Sequence, residues 1–288
     1  MAGPLVGWEL KVKSISSVEP SPTCSDWNIV EVITESIYDY PKYYDLVFGS
    51  DCAAEMKFIQ QVNEQLLGGK AKQLFEPACG TCRLMYGLVK KGFNVEGIDL
   101  NDKAVEFGNK RFARAKFSET AWVADMSDFA PRKKYDLAFN TINSFRHLAT
   151  AEAAASHLTC MAKGAKKNAV YLIGIHLNPI VGDTVDQESW AARRGHLSVL
   201  THMWTESRDP KARMDRFGIH FDIYTPTKQF RITDVLCMRS YTHEQFIRMI
   251  ELEGSWNIES AFDFSYEIDS PIEVDQSTED VVFVLRKK

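Results

Sequence analysis

The middle of the chain alternates two rhythms. Short apolar runs at residues 72–77, 93–98, 120–124, 135–140 and 169–177 predict strands, and stretches with helical spacing at 83–91, 102–115 and 149–162 lie among them. Gly164 stands just past the last of these helices. Upstream, Met56, Ile59, Val62 and Leu66 recur at helical spacing over 53–67, and Gly68-Gly69 supplies a stop. Such alternation argues for a parallel sheet with helices on both faces. The rhythm changes after Pro179. Residues 196–205, 213–224 and 229–239 alternate apolar and polar positions, separated by the turn signals Asp209-Pro210 and Thr225-Pro226, and read as three inserted antiparallel strands. Thr242-His243-Glu244-Gln245 opens a helix with a capping-box pattern that runs to about 253, and Gly254 closes it. Residues 256–264 and 280–285 read as the last two strands.

The amino-terminal end breaks this order. Residues 1–35 are Ser/Pro-rich around Ser16–Ser25 and lack periodicity, which predicts a loosely attached segment ahead of a domain spanning 36–288. Residues 38–48 are dense in aromatics, and Pro41 argues against one helix running through them.

Charge and composition narrow the functional classes. With 34 basic and 39 acidic residues the formal net charge is −5, so the chain lacks the electrostatic footprint of a nucleic-acid binder. Arg132-Lys133-Lys134 and the lysines of 163–167 read as solvated loop charges. No apolar run approaches the roughly 20 residues that span a bilayer, and no basic segment followed by a long apolar one marks a secretory leader. Six scattered cysteines in 288 residues are too few for a disulfide scaffold, which predicts a reducing, cytoplasmic setting. Cys79 and Cys82 form a lone CxxC without a second pair or histidines at zinc spacing, so no metal site is expected and they read as small turn residues.

The chemistry-bearing signal is local. Leu74-Phe75-Glu76-Pro77-Ala78-Cys79-Gly80-Thr81 ends an apolar run in an acid and a turn of small residues, a helical pattern follows, and Val95-Glu96-Gly97-Ile98-Asp99 ends a second apolar run in another acid. This is how a βαβ unit holds a nucleoside-like cofactor. Small residues let the backbone approach the ligand, and the second acid accepts hydrogen bonds from ribose hydroxyls.

These residues resemble the class I S-adenosylmethionine-dependent methyltransferases. The resemblance covers residues 38–177 and extends to the remainder by architecture. It implies a Rossmann-like α/β fold: a seven-stranded methyltransferase sheet, parallel with an antiparallel last strand, plus a small antiparallel β insertion at about 195–240. Glu76, Ala78, Gly80 and Arg83 fall in or beside the glycine-rich first motif, although Cys82 stands where the family carries a further glycine. Asp99, followed by Leu100, matches the acid that binds the ribose. Asp125 and Met126, in Val123-Ala124-Asp125-Met126, match the acid facing the adenine amino group and the residue packed on its ring. Asn140 ends a run, Tyr135–Asn140, that is similar to the family's fourth motif, whose strand end lies beside the methionine part. S-adenosylmethionine is the implied cofactor.

Within the superfamily the likeness is closest to amino-sugar and glycine N-methyltransferases. Tyr44-Asp45-Leu46-Val47-Phe48 is placed as their aromatic lid is, and Asn143-Ser144-Phe145-Arg146-His147-Leu148 resembles the segment whose histidine faces the acceptor. This implies a small-molecule acceptor, an amine nitrogen, with His147 as catalytic base and Tyr44 closing over the donor. A helix-start histidine bonded to backbone is the competing reading for His147, as an anchoring role is for Tyr38, Tyr40, Tyr43 and Tyr44. His176 ends the fifth strand on the same edge; Trp190, Trp204, Glu206, Arg208 and Arg213 lie in or near the insertion, where arginines suit a carboxylate or phosphate and surface ion pairs explain them equally. A small-molecule O-methyltransferase and a non-catalytic S-adenosylmethionine-binding protein stay open. A nicotinamide dehydrogenase is disfavoured because GxGxxG is absent, and a DNA amino-methyltransferase because Asn140-Thr141-Ile142-Asn143 lacks a Pro-Pro-aromatic element. The antiparallel layer offers a possible homodimer face.

Overall fold

The computed structural model describes residues 31–49, 52–181 and 186–288. Residues 1–30, which hold most of the segment expected to be loosely attached, lie outside them. In chain order the elements are β1 (Val32–Thr34), a 3-10 turn (Ile37–Asp39), α1 (Pro41–Gly49), α2 (Ala53–Leu67), β2 (Gln73–Pro77), α3 (Arg83–Lys90), β3 (Asn94–Asp99), α4 (Asp102–Arg114), β4 (Ala121–Val123) and β5 (Tyr135–Asn140). A second 3-10 turn (Ser144–His147), α5 (Ala151–Gly164), β6 (Ala165–His176), β7 (Gln187–Arg194), β8 (Leu197–Asp209), β9 (Met214–Tyr224), β10 (Gln229–Arg239), α6 (His243–Glu253), β11 (Trp256–Phe262) and β12 (Asp280–Lys287) follow.

Local chemistry sets the boundaries. Pro41 occupies the first position of α1, where its missing N–H costs nothing. Asn101 and Thr150 cap α4 and α5 by accepting from Ala104 and Ala153 N–H. Thr242 and Gln245 complete the capping box of α6, and Gly254 ends that helix in the left-handed conformation.

Seven strands form one sheet in the order β11-β12-β6-β5-β2-β3-β4. Strand β12 runs antiparallel to both neighbours, and the pairs among β2, β3, β4, β5 and β6 are parallel. This is the Rossmann-like sheet with a reversed last strand that the resemblance implies. Helices cover both faces, which is why β2 is buried along its whole length. One core layer gathers Phe75, Tyr135, Tyr171, Phe246 and Phe283; the opposite layer gathers Phe58, Leu74, Leu88, Phe112 and Phe139.

The second sheet is larger than the pattern suggested. Its order is β1-β10-β9-β8-β7: four antiparallel strands plus β1, which pairs parallel with β10. The extra antiparallel strand is β7. Only Trp190 and Ala192 of its eight residues turn away from solvent, so it carries almost no apolar alternation to read. Residues 32–34, expected in the loose segment, are thus held in this sheet. Its inner face packs Val199, Ile219, Phe221, Ile223 and Ile232 against Leu46 and Val47 of α1.

One buried ion pair pins the two sheets together. Arg146, in the turn after β5, donates from Nη2 to Asp215 Oδ2 of β9 at 2.5 Å and from Nε to the Arg239 carbonyl at 2.8 Å. Both side chains are nearly inaccessible, at 3% for Arg146 and 1% for Asp215. Removing one partner strands the other charge, a loss of about 3–5 kcal/mol. Urea denaturation of Arg146→Met is therefore expected to show that loss, and an Arg146→Met/Asp215→Leu double variant is expected to recover most of it.

Candidate active site

Strand β2 ends at Pro77, and the chain then turns sharply at the carboxyl edge of the sheet. Ala78, Gly80 and Cys82 all have left-handed backbones, with φ of +53°, +50° and +58°. Cys82 pays a steric penalty that glycine would not. Gly108 of α4 makes its place: a Cβ there would collide with the Cys82 Sγ. The Cys79 and Cys82 sulfurs lie 3.9 Å apart, both buried.

This turn is tied to the end of β3. Gly80 N–H donates to Asp99 Oδ2 at 2.7 Å, and Asn101 N–H donates to Oδ1 at 2.8 Å. Burial raises the Asp99 carboxyl above its ordinary range, and the N–H groups of Asn101, Gly80 and Leu100 pull against that rise. Leu100 is 73% exposed beside it, Val123 is also exposed and Met126 is half-buried. Asp99 thus sits at the root of an apolar shelf open to solvent. Asp125 is exposed at the next strand end, with Oδ1 accepting from Ser127 N–H and Oγ at 2.7 Å each.

The loop that carries Met126 is held from behind. His157 of α5 is fully buried; its Nδ1 meets the Met126 carbonyl at 2.8 Å and its Nε2 meets the Tyr171 hydroxyl at 2.8 Å. Ser156 Oγ donates to the Ser127 carbonyl at 2.6 Å.

Below the turn lies a cluster of buried charge. Arg83 donates from both terminal nitrogens to Glu55 of α2, at 2.6 and 2.7 Å. Thr141 Oγ1 donates to the same carboxylate at 2.5 Å, and Tyr266 donates to the Thr141 carbonyl at 3.0 Å. Arg83 is therefore occupied by protein, whereas the buried Glu76 beside it is matched only in part, by the Met85 N–H. Glu76 Oε2 lacks a hydrogen-bond partner, as does Oδ1 of Asn140, whose Nδ2 donates to the Pro77 carbonyl at 3.0 Å. Burial holds the Glu76 carboxyl well above the usual range, with Arg83 opposing and Glu55 reinforcing the shift. Two orphaned buried acceptors at the ends of adjacent strands suit a cationic group.

Helix α1 roofs the turn. The Tyr44 ring lies 3.9 Å from where a Cβ on Gly80 would stand, and packs on Tyr38 and Phe48 at centroid distances of 5.4 and 4.6 Å. Burial pushes its hydroxyl up to about 12. Asp45, the next residue, holds the roof in place. It pairs with Arg111 of α4, accepts from Thr81 Oγ1 at 3.0 Å and meets Arg194 of β7 at 3.6 Å. Tyr40 and Tyr43 point elsewhere, to Glu35 and Phe230.

His147 ends the 3-10 turn after β5, and its Nε2 lies 3.0 Å from the Tyr38 hydroxyl. His147 itself reaches solvent; partial desolvation by the groups packed around its ring and the neighbouring Arg146 lower its pKa below the ordinary 6.5, with Asp234 opposing. Asp234 of β10 in turn accepts from Ile37 N–H at 3.0 Å. His176 stands apart, paired with Asp280. In the second sheet, Trp190 packs on Phe48, whereas Trp204 stacks on His202 on the face that carries His220. Glu206 meets Arg216 at 3.5 Å, and Arg208 meets Asp186 at 3.4 Å.

The structure thus brings Tyr44, Glu76, Ala78, Gly80, Arg83, Asp99 and Asn140 around one turn, with Leu100, Asp125 and Met126 on its adjoining rim. Sequence reasoning missed Glu55, Asp45, Thr81 and the Tyr38–His147 contact. Glu55 was legible: it shares the apolar helix face of Phe58, Ile59 and Val62, where an acid needs a partner.

Residues 75–166 match the family model described as "Methyltransferase domain". The chain carries a methyltransferase domain. Solved structures agree in fold. An S-adenosylmethionine-dependent methyltransferase from Clostridium acetobutylicum is 16% identical with a TM-score of 0.70, over 86% of this chain and 97% of that one. DesVI of Streptomyces venezuelae is 18% identical with a TM-score of 0.69, over 86% and 97%. The sugar N-methyltransferase KedS8 from Streptoalloteichus is 19% identical with a TM-score of 0.66, over 96% and 98%. No curated protein sequence matches the chain. Among the described residues of the methyltransferase, no cluster of three or more His, Cys, Asp or Glu side chains could hold a metal, and no helix is long and apolar enough to cross a membrane.

His157 makes the loop beneath the rim acid-sensitive. Its pKa is lowered from 6.5 to about 4, chiefly by burial. As pH falls below 6.5 the unfolded chain takes up this proton and the folded chain refuses it, so stability drops until about pH 4. Between pH 7 and 5 the loss is about 2 kcal/mol. Chemical denaturation at both pH values is expected to show the stability gap between wild type and His157→Gln narrowing by that amount.

Proposed function

We propose that this methyltransferase uses S-adenosylmethionine as donor and methylates an amine nitrogen of a small molecule. The observation that carries the donor assignment is the set of carboxyl-edge groups: Asp99 at the end of β3, and the orphaned Glu76 Oε2 and Asn140 Oδ1 at the ends of β2 and β5. Asp99 would hold the ribose hydroxyls. Leu100, Asp125 and Met126 would hold the adenine. Glu76 and Asn140 would take the α-ammonium, and Ala78 and Gly80 would leave room for close approach. Bound there, the donor supplies an activated methyl group on a sulfonium. Gly80 backs the site with hydrogen alone, and Tyr44 covers it from above, which excludes water and favours positive charge near its ring.

For the acceptor, the support is the Tyr38–His147 pair and the likeness in fold to a sugar N-methyltransferase. Methyl transfer demands alignment more than acid–base work, and orientation of this kind is worth about 7–11 kcal/mol in favourable cases. An amine must nevertheless arrive without its proton. With its pKa lowered, His147 is neutral at pH 7 and offers a lone pair. When the Tyr38 phenol donates, that lone pair is on Nε2, and an amine displacing the phenol meets the same nitrogen.

Release of S-adenosylhomocysteine with a panel of amino sugars and other small amines, against matched alcohols, tests the reading directly; turnover with alcohols alone would replace it with O-methylation. His147→Ala is expected to lower kcat by about 10²–10⁴-fold with the donor Kd unchanged within about twofold. In wild type kcat should fall as pH drops through a value below 6.5, the limb set by protonating His147, and the variant should lack that limb. Unchanged kcat removes His147 from the mechanism. For the roof, fluorescence titration with S-adenosylhomocysteine should show Tyr44→Ala binding about tenfold more weakly and Tyr44→Phe close to wild type, the difference of about 1.4 kcal/mol reporting the lost ring; equal affinities would deny Tyr44 a covering role.

A further inference from the structure

Arg213 and Arg239 serve no part of the methyl-transfer site, yet they stand together. Their guanidinium groups lie over one ring, that of Tyr241, at 5.0 and 5.8 Å from its centroid. Arg239 Nη1 donates to the Ala149 carbonyl at 3.0 Å, and Arg213 Nε to the Ser240 carbonyl at 3.4 Å. Among the described residues, neither forms a salt bridge. The acids nearby are otherwise engaged. Asp215 belongs to Arg146, Asp209 accepts from the Lys211 and Ala212 N–H groups, and Glu152, exposed on α5, feels Arg239 only at longer range. Like charges that share a partly buried place lower each other's pKa, and burial followed by Arg239 has that effect on Arg213.

Two features set this cluster apart. Tyr241 is 1% exposed, and its hydroxyl meets no partner in full hydrogen-bond geometry, the Arg239 side chain being the donor that approaches it; Arg239 Nε, also buried, is likewise unmatched. Arg213 also keeps a left-handed backbone, φ +57°, held by a hydrogen bond of 2.9 Å from Ser240 N–H to its carbonyl. Strain of that kind persists where the surroundings fix a side chain in place. The ends of two helices add partial positive charge: Tyr241 precedes the cap of α6, and Ala149 precedes the cap of α5.

We propose that Arg213, Arg239 and Tyr241 form a phosphoryl-binding site beside the methyl-transfer cleft. A carboxylate is satisfied by one guanidinium fork. A phosphoryl dianion has three peripheral oxygens, enough for both forks and a hydroxyl, and its charge matches two unpaired cations. The group arrives either on a phosphorylated acceptor or as free phosphate.

Calorimetric titration of the full chain with inorganic phosphate tests the site. Wild type is expected to bind it, and Arg213→Gln, which gives up one long backbone contact and the stacking on Tyr241, to bind at least tenfold more weakly. Arg239→Gln should weaken it too, with circular dichroism checking that the fold survives loss of the Ala149 contact. No phosphate binding by wild type, or equal affinity in a folded Arg213→Gln, overturns the site. Glucosamine 6-phosphate separates the sources. If it binds more tightly than inorganic phosphate and His147→Ala weakens it, the phosphoryl group belongs to the acceptor; if the two bind alike and His147→Ala changes neither, the site takes free phosphate. S-adenosylhomocysteine binding in the same samples reads the donor site separately, so failure of one assignment leaves the other visible.

Discussion

Arg83 cannot sit unpaired beneath the glycine turn, and its pairing with Glu55 shapes the donor site. An isolated buried guanidinium would be prohibitively costly. Glu55 answers it with two parallel hydrogen bonds, drawing α2 against the first turn of α3. Thr141 and Tyr266 extend the same network to the end of β5 and to the loop between β11 and β12. Four separate pieces of chain therefore meet around one charge, and the turn from Ala78 to Cys82 lies on top of them. Asp45 repeats the device one layer higher, joining α1 to α4, to Thr81 and to β7. The roof over Gly80 is thus fixed by a buried carboxylate as well as by aromatic packing.

The second sheet is connected in a comparable way. Arg146 and Asp215 bridge the turn after β5 to β9, and His147 is the very next residue. A shift of the sheet would move the histidine proposed as the base. Tyr38 reaches His147 from the other side, and its own position depends on Asp234 of β10 accepting from Ile37 N–H. Both partners of the Tyr38–His147 contact are consequently referenced to the second sheet, although neither belongs to it. On the proposed reading that is a physical reason to carry this layer: it would set the acceptor side of the cleft while the seven-stranded sheet sets the donor side.

Much of this was legible from the residues. The short apolar runs ending in Glu76, Asp99 and Asn140 place three strand tips correctly, because fully buried parallel strands leave a strong local signal. The caps at Thr242 and Gly254 are equally local. What failed to show was set by contacts across the fold. Strand β7 has two inward residues and looks polar. Strand β1 exists because β10 offers it an edge. Cys82 looks like a defect in the first motif until Gly108, 26 positions away, is seen to clear the space for it. Arg83 reads as a ligand-facing residue beside the glycine turn, and only the structure shows Glu55 occupying it.

Charge is left unbalanced inside the proposed donor site. Glu55, Glu76 and Arg83 place two carboxyl groups around one guanidinium, and Glu55 has captured it. Glu76 is left buried, one oxygen unpartnered and its pKa raised chiefly by burial, so its ionised form is poorly supported by the protein alone. Asn140 Oδ1 presents a second unmet acceptor nearby. Substituting Gln for Glu76 would be the cheap way to remove that electrostatic burden if the site were only structural. A cationic group arriving between these acceptors restores the missing charge and satisfies both oxygens. On the proposed reading, the cost of an incomplete interior in the free protein would become selectivity for a ligand that carries an ammonium, which a nicotinamide dinucleotide does not present.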